Sequence, residues 1–253
     1  MNSHKPFIIG IGGAHSSVGK TTLAAAVIRY LTTHPARYPF GNVPKLGAIK
    51  YTNTPLYASL IDDESIINQN GKDTSKLSEA GAKRVLWIKS PRTDVEEIVP
   101  VALARLADLD GIVIEGNSAI EFAEPDIVIF ITGHGPEKGI KPSSEMLLNK
   151  ADIVIVPGAT APVVPKAGAK IYAPGCCPYI FDNEAIQDII TLMEEITKKK
   201  EIEHLLRERA VDSRLTCTEA RIIAEELKVP YCDIGQAANE LKIKIRNCEL
   251  GCF

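Results

Sequence analysis

Phe7-Ile8-Ile9-Gly10-Ile11-Gly12-Gly13-Ala14-His15-Ser16-Ser17-Val18-Gly19-Lys20-Thr21-Thr22 runs from an apolar strand straight into a small-residue turn that ends in Gly-Lys-Thr. The turn meets the phosphate-loop pattern G-x-x-x-x-G-K-[ST] with Ala14 in the first glycine position, a relaxed form of the signature. Its flanks carry the reading. An apolar run precedes it, and Thr21 to Leu31 continue with helix formers at amphipathic spacing. A strand, a loop and a helix in that order bring consecutive backbone N–H groups and the positive end of a helix dipole onto phosphate oxygens. The spacing predicts a nucleotide site made by Ser16, Ser17, Val18, Gly19, Lys20, Thr21 and Thr22. Lys20 would reach the terminal phosphates and Thr21 would hold a magnesium ion. His15, inside the loop, is read either as a phosphate contact or as a solvent-facing loop residue.

Downstream, apolar runs alternate with helical spacings. Lys45–Thr52 reads as the second strand, with Lys50 and Asn53 at its end, and residues 56–84 as polar and partly helical around the turn Asn70-Gly71-Lys72-Asp73. Arg84–Ser90 is a third strand and Val95–Leu106 a helix. Gly111–Gly116, Asp126–Gly133 and Asp152–Pro157 are buried-strand runs, Pro142–Lys150 is a short helix between the last two, Lys170–Ala173 is a last strand, and Asn183–Lys199 is a helix. This alternation predicts an α/β domain over residues 1–200, a mainly parallel sheet with helices on both faces, as in a P-loop NTPase.

Residues 201–253 differ in kind and predict a small, mostly helical module. One helix, Thr218–Pro230, starts at a capping box of Thr216 and Glu219. A second runs from Cys232 to Leu241, joined through Val229-Pro230-Tyr231. The pair resembles a helix-turn-helix, but its charges nearly balance, which favours packing or partner docking over DNA.

Three side chains are the catalytic candidates: Lys20, Asp73 and Glu115. Glu115 closes the apolar run Ile112-Val113-Ile114, where an acid beside a phosphate loop orders magnesium together with Thr21, or else is a surface acid after a strand. Lys50 joins the nucleotide-binding set. The phosphate loop, the strand ending in Lys50, Gly71-Lys72-Asp73-Thr74 with Glu79-Ala80-Gly81-Ala82, and Ile114-Glu115-Gly116 stand in the order seen in the MobB-like family. That family comprises the molybdopterin-guanine dinucleotide biosynthesis B proteins, and the resemblance covers residues 7–135. It implies a nucleotide-binding protein, a GTPase that assists attachment of a nucleotide to a molybdenum or tungsten cofactor. Its partner would be a cofactor-biosynthesis protein or metalloenzyme. It also implies that Asp73 faces magnesium or a second substrate. The chain departs from the family at Tyr51 and Asn53, where histidines are usual, at Asn117-Ser118, and in its extra tail. The loop words also resemble the dethiobiotin synthetase and cobyrinate amidase relatives, which phosphorylate a carboxylate with ATP.

GTP and ATP both remain open. Asn149-Lys150-Ala151-Asp152 matches the guanine-reading motif N-K-x-D, or else marks a helix end and a strand start. Cys176, Cys177, Cys248 and Cys252 read as buried small apolar side chains or as a four-thiolate metal site, and His134 as a ligand-touching loop residue. Net charge is −3 with scattered cations, so no broad footprint for nucleic acid or an anionic membrane is visible. The one basic run, Lys198–Lys200, is flanked by acids. No apolar stretch reaches the length of a membrane span, no secretory pattern opens the chain, and the six cysteines suit a reducing compartment, so a cytoplasmic location is expected. The sequence thus supports three functions: an NTPase switch with weak hydrolysis that a partner or a homodimer completes, an ATP-dependent ligase or kinase, and a nucleotide-gated adaptor with a partner- or DNA-binding tail.

Overall fold

A computed structural model describes residues 5–34, 39–40, 42–133, 142–156, 169–173 and 181–247. The chain divides into two compact units, Met1–Met193 and Glu194–Phe253. In the first, β1 (Phe7–Gly13) leads through the loop into α1 (Lys20–Thr33), and β2 (Leu46–Asn53) follows. Then come β3 (Ser59–Ile61), α2 (Glu64–Ile67), α3 (Asp73–Glu79) and β4 (Arg84–Ser90). A 3₁₀ turn at Arg92–Asp94 opens α4 (Val95–Arg105). The unit continues with β5 (Gly111–Glu115), α5 (Asn117–Ala123), β6 (Ile127–Ile131), α6 (Pro142–Lys150), β7 (Ile153–Ile155) and β8 (Lys170–Tyr172).

These eight strands form one sheet in the order β3-β4-β2-β5-β1-β6-β7-β8. All neighbours are parallel except β3, which runs antiparallel to β4. β1, β5 and β6 lie centrally, which is why they are continuous apolar runs rather than alternating ones. Side chains still alternate between faces. Ile112 and Ile114 share a core with Val95, Val99 and Ala102 of α4, Ala119 and Ile120 of α5, and Leu147 and Leu148 of α6. Val113 and Glu115 therefore point to the opposite face, where Thr21 of α1 bonds Glu115. Helices cover both faces, as the sequence predicts.

Three strands are entered through an aspartate. Asp110, Asp126 and Asp152 precede β5, β6 and β7, at the amino edge of the sheet. The Asp110 carboxylate accepts the Lys45 N–H at 2.6 Å, Asp126 that of Ile8 at 2.6 Å, and Asp152 that of Val128 at 2.8 Å. Each aspartate also donates its own N–H to the carbonyl of the same partner, at 3.0, 2.9 and 2.9 Å. Edge N–H groups that the ladder leaves without a partner are thereby satisfied.

Several elements differ from the sequence reading. β3 is an extra edge strand inside the segment read as polar, held by its pairing with β4 rather than by any apolar pattern of its own. α5 follows Gly116 at once, but its seven residues span too few turns to show a period. The helix expected at Asn183–Lys199 runs on as α7 (Asn183–Arg209), and the division between units falls inside it.

The second unit packs Ile202 and Leu206 of α7 with α8 (Cys217–Leu227) and α9 (Tyr231–Glu240), through Ile223, Ala224, Ile234 and Ala238. β9 (Arg214–Thr216), which the sequence reading lacks, pairs in parallel with β10 (Lys244–Arg246). The capping box is formed: Glu219 N–H donates to Thr216 Oγ1 at 3.1 Å, and Thr216 N–H to Glu219 Oε2 at 3.2 Å. No helix among the described residues is long and apolar enough to cross a membrane.

Candidate functional site

β1 ends at the sheet's carboxyl edge, between β5 and β6, and the loop that follows it forms one wall of a cleft of about 760 Å³. The loop is pinned from below. Ala14 N–H donates to Ile131 O at 2.9 Å. Asn117, at the start of α5, accepts the Gly13 N–H at 3.0 Å and donates to Gly13 O at 2.9 Å and to Ser144 Oγ at 3.0 Å. Ser144 in turn donates to Ala14 O at 3.2 Å. Gly19 caps α1 with φ 90°, a left-handed turn that a side chain would strain. No side chain caps α1 and no residue of its own first turn is acidic, so the positive end of its dipole faces the cleft.

Ser16 and Ser17 on the loop and Thr22 in the first turn of α1 are exposed, and Gly19, Lys20 and Thr21 also line the cleft. The Val18 side chain is buried, so this residue offers a ligand only its backbone, the group that the phosphate-loop reading calls on. Lys20 Nζ donates to His15 O at 2.7 Å, so its ammonium already lies over the loop.

The wall opposite is ionic. Lys50 on β2 and Glu115 on β5 are register neighbours, so both side chains leave the sheet on the α1 face. Glu115 is 2% exposed; its Oε2 accepts from Thr21 Oγ1 at 2.8 Å and from Lys50 Nζ at 2.5 Å. Lys50 Nζ lies 3.0 Å from Asp73 Oδ2 at the start of α3, and Lys76 Nζ 3.3 Å from Asp73 Oδ1. Burial pushes the Asp73 carboxyl upward, but the Lys50 and Lys76 charges outweigh it and hold the group below the usual carboxylate range. Burial likewise raises the Tyr51 phenol, partly offset by hydrogen bonding to Ser90 and Ser118 and by the Arg92 charge. The unusual Glu-Gly pair has a steric cause. Gly116 sits at φ +138°, and a Cβ there would fall 2.7 Å from Tyr51 Cβ.

Thr21, Asp73 and Glu115 are hard oxygen donors of the kind magnesium takes. The 2.8 Å between Thr21 Oγ1 and Glu115 Oε2 matches adjacent ligands of an octahedral shell, about 2.9 Å apart for bonds of about 2.0–2.1 Å. The residues present fit the ion.

Of the two readings of Asn149-Lys150-Ala151-Asp152, the helix end and strand start is the one observed. Asn149 and Lys150 end α6, and Asp152 is bound to Val128 at the amino edge, away from the phosphate loop at the carboxyl edge. Cys176, Cys177, Cys248, Cys252 and His134 lie outside the described residues. Cys217 and Cys232 carry free thiols, and no group of three or more histidine, cysteine or acidic side chains suited to a metal occurs among the described residues. Residues the sequence reading missed are Asn117, Ser144, Lys76 and Arg92, all lining the cleft. Asn117 alone had a signal, standing two residues past Glu115 where a helix begins.

The first unit is a mainly parallel eight-stranded sheet with helices on both faces, a phosphate-loop pattern between β1 and α1, and an acid at the end of β5 bonded to the first turn of α1. No family model matches the chain, and no curated protein matches it in sequence. Solved structures of similar architecture include a plasmid partition protein from Borrelia burgdorferi, at 16% identity and TM-score 0.44, covering 78% of this chain and 99% of that one. A putative plasmid partition protein from Borrelia burgdorferi B31 bound to AMPPNP gives 17% identity and TM-score 0.39, with 78% and 99% covered. The signal recognition particle 54 kDa protein of Aeropyrum pernix in complex with GDP gives 16% identity and TM-score 0.35, with 94% and 63% covered.

Proposed function

We propose that the protein binds a nucleoside triphosphate with magnesium and cleaves it, slowly by itself and faster when a partner or second substrate completes the site. One observation carries this reading: the uncapped start of α1 and the Thr21–Glu115 pair face the same cleft. Backbone N–H groups of residues 16–22 would hold the phosphates. Lys20 would exchange the His15 carbonyl for β and γ oxygens, stabilising charge as it builds. Thr21 and Glu115 would hold the magnesium ion, which when bound neutralises phosphate charge. Asp73 would orient water or a second substrate.

Transfer to a second substrate, as in a kinase or ligase, has its own support. The cleft is also lined by Asn53, Lys76 and Arg92, polar side chains outside the phosphate loop that could meet a second ligand. The MobB-like resemblance points to a molybdenum or tungsten cofactor as that second ligand, which a binding screen with pterin nucleotides tests directly.

Calorimetric titration of ATP and GTP with magnesium decides both binding and base preference. Lys20→Ala should weaken binding by about tenfold to a hundredfold, the range for losing hydrogen bonds to a charged group. Unchanged affinity in that variant overturns the reading.

A further inference from the structure

Glu115 is a buried carboxylate, and such a group is tolerated only when a cation faces it. In this protein the cation is Lys50, and the atom it takes is the one a divalent ion would need. Glu115 Oε2 serves both Thr21 Oγ1, at 2.8 Å, and Lys50 Nζ, at 2.5 Å, while Lys50 Nζ stands 3.5 Å from Thr21 Oγ1. An ammonium within bonding range of both donors repels a second cation there. Lys50 has somewhere else to go. Asp73 Oδ2, 3.0 Å from the same Nζ, belongs to a side chain 43% exposed, against 13% for Lys50. Moving from two carboxylates to one leaves the lysine charged and paired. Its stem stays fixed on β2, between Glu115 on β5 and Trp87 on β4.

We infer that Lys50 is a built-in counter-cation of the metal site, holding Glu115 in the nucleotide-free protein and yielding it to a divalent ion only when a triphosphate arrives with it. The inference rests on the magnesium reading of Thr21 and Glu115. The triphosphate supplies the extra negative charge that tips the exchange, and Lys50 retires to Asp73. Metal entry is thereby coupled to nucleotide entry, and the protein ignores divalent ions offered alone.

The test titrates manganese into the full-length protein without nucleotide, reading free Mn²⁺ by electron paramagnetic resonance. Wild type should bind weakly. Lys50→Gln should bind at least about tenfold more tightly, because one positive charge has left the site, whereas Lys50→Arg should stay weak. Tight binding by wild type alone, or no gain in Lys50→Gln, overturns the inference. Should Lys50→Gln fail to fold, Asp73→Asn reads the other end of the exchange. With its alternative anchor gone, Lys50 should cling to Glu115 and weaken manganese uptake in the presence of a non-hydrolysable triphosphate, and unchanged uptake counts against the exchange. A separate arm tests the parent reading: if uptake with triphosphate is indifferent to Glu115→Gln, the metal site itself is misplaced, whatever Lys50 does.

Discussion

The two edges of the parallel sheet use acidic residues in opposite ways. At the amino edge, Asp110, Asp126 and Asp152 each hold a backbone N–H of the neighbouring strand and return their own N–H to it. Their partners are fixed parts of the chain and cannot be exchanged. At the carboxyl edge, Glu115 is held by a hydroxyl and an ammonium, both on side chains that can turn. The difference is one of partner, not of residue type. An acid before a strand completes a ladder, whereas an acid at the end of one meets loops and helix starts, and there its negative charge can serve a ligand.

Breaking the carboxyl edge should have the larger functional effect. Glu115→Gln removes an anionic ligand and should cost on the order of a hundredfold in magnesium-dependent turnover, with a melting temperature close to wild type because Lys50 keeps Asp73. Steady-state phosphate release at several magnesium concentrations checks it; turnover within a factor of two would make Glu115 merely structural. At the amino edge the pattern should invert. Asp152→Ala should lower stability by about 1–3 kcal/mol, the cost of stranding a buried N–H and losing a charge-assisted bond, while nucleotide affinity holds. Urea unfolding and GTP titration of the same sample read both. A selective loss of GTP binding would instead make Asp152 a base reader and erase the distinction between the edges.

Most of the sheet was legible because its central strands are buried on both faces and leave unbroken apolar runs such as Ile127–Ile131. The phosphate loop and Glu115 were legible for a related reason: their positions at strand ends are set by covalent order. What was hidden depends on contacts between distant residues. Asn117 and Ser144 shape the loop across 104 and 130 residues of separation from Gly13 and Ala14, which no local pattern records. The same blindness made Asn149-Lys150-Ala151-Asp152 tempting, since spacing alone does not say which edge of the sheet a motif occupies. Lys50 was placed on its strand correctly, yet its pairing with Glu115 appears only once β2 and β5 are neighbours.

Asp73 offers the smallest and most discriminating test, because it belongs to the carboxyl edge yet is half exposed. Burial works against its ionised form and the Lys50 and Lys76 charges work more strongly for it, so its folded carboxyl titrates below the unfolded one. The folded state therefore binds the proton less readily. That contribution to stability is complete above the unfolded value, about pH 4, and is lost as pH falls through the lower folded value. Asp73→Asn should thus be less stable than wild type at neutral pH by no more than about 1 kcal/mol, the scale of an exposed pair. The gap should close in acid, once pH has fallen through the lower folded value. Urea unfolding of both proteins at neutral and at acid pH measures it. A gap that persists unchanged in acid would mean that Asp73 acts through packing rather than charge, and Lys50 would then have no second carboxylate to lean on.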